Sequence, residues 1–225
     1  LCLDAGNLLS YPGSGNTWYD LTKNPNLNDA TLLNSPTFST LNKGCIQGFS
    51  TSNPTQWIRI NNGSLSNLQI SDNTFTWEMA FKILENTSSG RIDLMGYNGY
   101  NPYWGYVMCL NALRPMLLWQ NPENSTFKQI NPDGVQLIVD SWYRLVVVMD
   151  SGSLSFFLNG SLYQNMGVQS PIADHIGSAL HIGGLMFSSN YNLKGLVSNV
   201  NIYNRALSAT EIQNNYLATK GRYGL

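Results

Sequence analysis

The sequence predicts an all-β fold: a two-sheet antiparallel β-sandwich with one short C-terminal helix. Three observations carry that prediction. Residues 142–163 read WYRLVVVMD, SGS, LSFFLNG and SLY, which is strand, turn, strand, turn, strand. Asp150-Ser151-Gly152 and Asn159-Gly160 are turn sequences that supply positive φ, so the segment reads as a three-stranded meander. Residues 74–84 alternate strictly, with Phe75, Trp77, Met79, Phe81 and Ile83 on one side and Thr74, Thr76, Glu78, Ala80 and Lys82 on the other. A convincing helix signal occurs only near the C-terminus, where Ser208 and Glu211 form a capping box ahead of Ile212 and Tyr216.

Taken in order, LCLDAGN (1–7) reads as a short first strand. Residues 10–36, punctuated by Pro, Gly and Asn, read as one long loop anchored by Trp18, Tyr19 and Leu21. Residues 44–49 and 56–60 follow as strands, and the alternating strand comes next. Residues 91–97 and 104–110 read as a hairpin joined by NGYNPY, and strands follow at 115–120 and 126–130. The meander then reads as the centre of the fold, because three consecutive valines, Val146, Val147 and Val148, suit a strand covered on both faces. Strands at 178–184 and 193–204 precede the helix.

Length and composition bound the rest. A chain of 225 residues fits a single sandwich domain spanning 1–225. Such a domain buries roughly 70–75% of its unfolded surface and needs no staples. Only 11% of residues are charged, against a usual ~25%, so the polar surface must be amides and hydroxyls suited to glycans or to other protein faces. The net charge of -1 and the lack of a Lys/Arg cluster exclude nucleic acid as a partner. No apolar run approaches the ~18 residues of a membrane helix, which predicts no membrane insertion. Cys2, Cys45 and Cys109 are too few for a disulfide framework and read as buried thiols, with Cys2–Cys45 pairing as the alternative. The chain starts at Leu1, which predicts a domain trimmed or processed from a longer chain.

Two segments carry a family resemblance. WYRLVVVMD…LSFFLNGSLY (142–163) and LHIGG…LKGLVSNVNIYNRALSATEI (180–212) resemble the hairpin and the C-terminal motif of LamG-like jelly-roll domains. WYDLT (18–22) and GCIQGF (44–49) match that family more loosely. The resemblance implies the concanavalin A-like sandwich of laminin G modules, pentraxins, legume lectins and several glycanases. The opening LDAGN…SYPGSGNTWYDL is similar to such domains in phage and large-virus structural proteins.

Catalysis in that superfamily uses paired carboxylates or an Arg/Gln/His/Tyr set. The chain has four Glu (Glu78, Glu85, Glu123 and Glu211) and no E-x-D-x-x-E run, and His175 and His181 stand beside no nucleophile motif. The expectation is a non-catalytic module. A glycanase or lyase reading would require Glu78 in an open groove facing a second polar group. Pentraxin-like members bind Ca²⁺ from two loops, but the equivalent loops here hold no acid, leaving Asp20, followed by Asn24 and Asn28, as the candidate Ca²⁺ ligand. Asp20 as an Asx-turn residue is the competing reading. No other cofactor is implied.

The remaining constellation is residues 96–106. Tyr97, Tyr100, Tyr103 and Trp104, interleaved with Asn98 and Asn101, have the composition of a recognition loop: flat rings for sugar faces and amides for hydroxyls. Family topology implies Asn190 and Tyr191 beside it. Glycan binding, a subunit contact and simple core coverage all remain open for these rings. The expected role is a module of a viral or phage structural protein, on the virion surface or extracellular, contacting neighbouring subunits or a host glycan. A carbohydrate-binding module of a secreted glycan-active enzyme is the alternative.

Overall fold

The structure is a computed structural model and describes residues 1–22, 28–48, 56–61, 68, 73–98, 106–120, 127–134, 136–169, 179–184 and 189–225. Its strands are β1 (Cys2–Asp4), β2 (Thr17–Trp18), β3 (Ala30–Leu33), β4 (Thr37–Ser39), β5 (Cys45–Gly48), β6 (Trp57–Asn61), β7 (Phe75–Glu85) and β8 (Arg91–Asn98). They continue with β9 (Val107–Asn111), β10 (Arg114–Gln120), β11 (Phe127–Ile130), β12 (Trp142–Asp150), β13 (Ser153–Leu158), β14 (Ser161–Val168), β15 (Ala179–Ile182) and β16 (Lys194–Tyr203). One α-helix, α1 (Ala209–Thr219), follows.

These strands form the two-sheet antiparallel sandwich that the alternation predicts. The first sheet runs β14-β13-β12-β7-β16-β5-β4, with β1 also paired to β16; the second runs β11-β10-β9-β8-β15-β6-β3-β2. Between them lies the core: Trp77, Met79, Phe81 and Ile83 of β7 meet Ile58 and Ile60, Ile92 and Leu94, and Leu180 and Ile182 from the facing sheet. Each of these alternates with a residue on the outer face, which is how period-2 patterning becomes two surfaces.

Two expectations change. The meander is present, with Ser151, Gly152, Asn159 and Gly160 all at positive φ, but it occupies one side of its sheet. β14 is the edge strand and is largely half-exposed or exposed, and the middle strand is β7, paired with the meander's β12 on one side and with β16 on the other. Val146 and Val148 are nevertheless covered on the outer face, by Leu207 and Ile212. The long loop of 10–36 also contains β2 and β3, joined to the second sheet through β6. They are two and four residues long, too short to leave a periodic signal.

The capping box forms as read. Ser208 accepts from the Glu211 amide and the Glu211 side chain accepts from the Ser208 amide. The helix lies on the outer face of the first sheet, with Ile212 packed against Val146, Val148 and Phe157. Beneath it Glu78 is fully buried: its Oε1 accepts from Arg144 Nε at 2.5 Å, and its Oε2 accepts from Asn201 at 3.0 Å. Arg144 also donates to Thr219 at the end of α1. Glu78 therefore faces an arginine under a helix, where the glycanase reading required an open groove. Past the helix, Arg222 ties the chain's ends together through Asp4 and the carbonyls of Asn42 and Gly44. All three cysteines are free thiols.

Candidate functional site

The outer face of the second sheet carries what the core cannot. On β6, Trp57 and Arg59 alternate with the inward Ile58 and Ile60; on β15, His181 lies between the inward Leu180 and Ile182. On β8, Arg91 and Asp93 alternate with the inward Ile92 and Leu94. β15 sits between β6 and β8, and His181 is in register with Arg59 on one side and Gly96 on the other. Three neighbouring strands thus bring residues from three distant segments onto a patch ~10 Å across. Asn192 completes it: its backbone bridges to Asp93, and its side chain lies against Gly184, where a Cβ would collide with it.

Buried polar groups are normally hydrogen-bonded, so a cluster of orphans on one face is a feature to be accounted for. Twelve buried side-chain polar atoms lack a partner among the described residues, and six of them are on this one face: Trp57 Nε1, Arg59 Nε, Arg91 Nη2, Asp93 Oδ2, His181 Nδ1 and Asn192 Oδ1. Asp93, His181 and Asn192 are almost wholly inaccessible, whereas Trp57, Arg59 and Arg91 are half-buried. The Trp57 indole and the His181 imidazole stack in parallel, 6.3 Å between centroids.

The electrostatics follow from burial. Arg91 Nε binds Asp93 Oδ1 at 2.7 Å, yet burial outweighs that pairing and pushes the Asp93 carboxyl up to about 6. Burial, helped by the neighbouring Arg59 charge, pushes His181 down to about 4, so its ring is neutral at pH 7. Cys109, in register with Asp93 on β9, is held as a thiol by burial. Asp93 is the one acid in the eight strands of this sheet, whereas glycoside hydrolysis by the common routes needs two carboxyls ~5–10 Å apart.

The residues expected from the sequence distribute differently. Tyr97 lies in the core between the sheets, with its hydroxyl donating to the Leu68 carbonyl. A register shift between Asp93 and Met95 turns both Leu94 and Met95 inward and reverses the parity, so Tyr97 points in where unbroken alternation from Arg91 would point it out. Asn98 ends β8, and Tyr100, Asn101, Tyr103 and Trp104 lie outside the described residues, as does His175. Asn190 and Tyr191 root at the opposite end of β8, about 23 Å of strand away. There the Asn190 carbonyl accepts from Ser89 and the Tyr191 ring lies 4.7 Å from the Arg91 guanidinium carbon. Tyr191 therefore borders the Arg91–Asp93 pair.

Asp20 is buried, and both its oxygens are engaged: Oδ1 accepts from the Cys2 and Thr22 amides and Oδ2 from the Thr22 hydroxyl. That is Asx-turn geometry. No group of three or more His, Cys, Asp or Glu placed to hold a metal ion occurs among the described residues, and Asn24 lies outside them. Both Asp20 oxygens thus already accept hydrogen bonds, where a calcium site asks for six to eight oxygens.

A laminin G family model, described as concanavalin A-like lectin/glucanases superfamily, matches residues 52–213, most of the chain and every residue of the six-atom cluster. The chain belongs to the concanavalin A-like lectin/glucanase superfamily. No curated protein sequence matches this superfamily member. Solved structures with the same fold include the receptor-binding domain of a botulinum neurotoxin C/D mosaic serotype, at TM-score 0.73 and 14% identity, covering 97% of this chain and 50% of that one. The binding domain of botulinum neurotoxin serotype D matches at TM-score 0.71 and 15% identity, covering 97% and 51%. A botulinum neurotoxin type C structure, from a toxin whose uptake is described as dependent on two ganglioside molecules, matches at TM-score 0.72 and 12% identity, also covering 97% and 51%. The chain spans about half the length of these structures, and at such identities the likeness is one of concanavalin A-like fold.

Proposed function

We propose that the chain is a non-catalytic glycan-recognition module whose saccharide lies on the outer face of the second sheet. The observation that carries this reading is the set of six unpartnered polar atoms gathered beside the Trp57–His181 stack. Saccharide sites need that combination: a flat ring for the apolar face of the sugar and fixed donors and acceptors for its hydroxyls. The superfamily, and the receptor-binding role named for the botulinum domains, support a recognition role. Asp93, with no second acid in the strands of its sheet, supports binding over hydrolysis. Such a module acts at a virion surface or in the extracellular space, as part of a viral or phage structural protein or beside a glycan-active enzyme.

A glycan-array screen of the 225-residue chain, run with calcium and with chelator, tests the reading. The expected result is binding to a restricted set of glycans, unchanged by chelator, because both Asp20 oxygens are already engaged. Chelator-sensitive binding would instead assign calcium a role. An array without signal, from a chain shown to be folded, would contradict the proposal. It would favour assembly with a neighbouring subunit, for which the adjacent exposed side chains Leu8 and Leu9, 75% and 80% accessible, are the observation in hand.

A further inference from the structure

Resting on the glycan reading, we propose that the saccharide is acidic and that Arg59 is the specificity-determining residue that receives its carboxylate or sulfate. Arg59 Nε is buried without a partner, and Arg59 takes part in none of the ion pairs among the described residues. Its cross-strand neighbours are His181 and Thr31, neither of them an acid. A guanidinium presents its donors as a rigid fork that matches the paired oxygens of a carboxylate or sulfate. A neutral sugar at the same place would leave that charge without a counter-ion.

The unpartnered atoms also give the site a direction. At the β6 side, Trp57 Nε1 and Arg59 Nε are both donors, the groups an anion takes. At the β8 side, Asp93 Oδ2 and Asn192 Oδ1 are acceptors, the groups sugar hydroxyls take, while Arg91 is held by Asp93 and adds one free donor through Nη2. An anionic group on the half-buried Arg59 pairs its charge, while Asp93 and Asn192, wholly buried, set the acceptor character of the β8 side from beneath the surface. The chain's net charge is -1, so the selectivity is local to this face and does not arise from bulk attraction.

An array of matched glycan pairs tests this, each pair differing only in a carboxylate (sialylated against desialylated, uronate against reduced uronate) or only in a sulfate. Wild type and Arg59→Gln are compared after thermal melts show both folded. The acidic member of a pair is expected to bind about tenfold or more tighter than its neutral partner. Arg59→Gln should bring the acidic and neutral members of each pair to near-equal binding, whatever it does to the neutral member alone, and the carboxylate and sulfate pairs tell the two anions apart. Equal binding of both members by wild type overturns the acidic class and leaves the glycan module standing. A preference that survives Arg59→Gln overturns the role of Arg59. No binding to either member overturns both proposals.

Discussion

Replacing Glu78 with alanine is expected to destabilise the chain by about 3–5 kcal/mol, a large share of the ~5–15 kcal/mol that holds a typical domain folded. Glu78 and Arg144 are an ion pair under α1, with side chains 0% and 5% accessible. Removing the carboxylate leaves the guanidinium buried, with Thr219 as its remaining side-chain partner. It also strips Asn201 of one acceptor, although Asn199 still receives its amide. The paired replacement Glu78→Leu with Arg144→Met should recover most of the loss, because two apolar chains of similar volume avoid both desolvation penalties. Urea denaturation of the two variants reads this directly. A Glu78→Ala loss below about 1 kcal/mol would mean that water reaches the pair, and the helix would not be the seal described above.

The second large effect concerns pH, and it arises from two groups that oppose each other. An ordinary Asp has a pKa of 3.8, and in the folded chain burial raises Asp93 to about 6 despite Arg91. The folded state therefore holds that proton more tightly, so the Asp93 contribution is fully present below pH 3.8 and is lost as pH rises through 6. His181 runs the other way. Burial and Arg59 lower it from 6.5 to about 4, so its contribution is full above pH 6.5 and is lost as pH falls through 4. Each shift of about two pKa units corresponds to roughly 3 kcal/mol, and over pH 4–6.5 the two largely cancel. Stability from this face should be nearly flat in the wild type. Asp93→Asn should steepen the loss on acidification by roughly 2–3 kcal/mol, and His181→Gln should tilt the profile oppositely by a similar amount. Melts at pH 4.5, 5.5 and 7 compare the slopes, and groups common to all three proteins cancel. If both variants track the wild type at every pH, Asp93 and His181 are solvated, and the buried site is not as described.

Much of the fold was legible because it was written locally. Asp150-Ser151-Gly152 and Asn159-Gly160 set two tight turns, the alternation of 74–84 set a face, and Ser208 with Glu211 set the helix start, each within a dozen residues. β2 and β3 were not legible, since strands of two and four residues gain their meaning from pairing with β6 far along the chain. The place of the meander in its sheet was equally non-local. The candidate site shows the same limit more sharply. Trp57, Arg59, Arg91, Asp93, His181 and Asn192 belong to four separated segments, and only the β6-β15-β8 order brings them together. A faint signal existed: polar residues alternate with aliphatic ones in QWIRI, RIDL and LHI, which assigns them to an outer face without saying that the faces adjoin. Composition instead drew attention to residues 97–104, where Tyr97 is turned inward by a register shift that no local pattern announces.

The measurement that tests the central claim most directly is an isothermal titration of the tightest array glycan into wild type and Trp57→Ala at pH 7. Trp57 is half-buried on the outer face and takes no part in the core between the sheets, so its loss should leave the fold intact. If the saccharide lies on the second sheet, the variant loses a stacking surface worth on the order of 1–3 kcal/mol, and affinity drops about tenfold to a hundredfold. Unchanged affinity in a folded Trp57→Ala chain would place the glycan elsewhere and contradict the account.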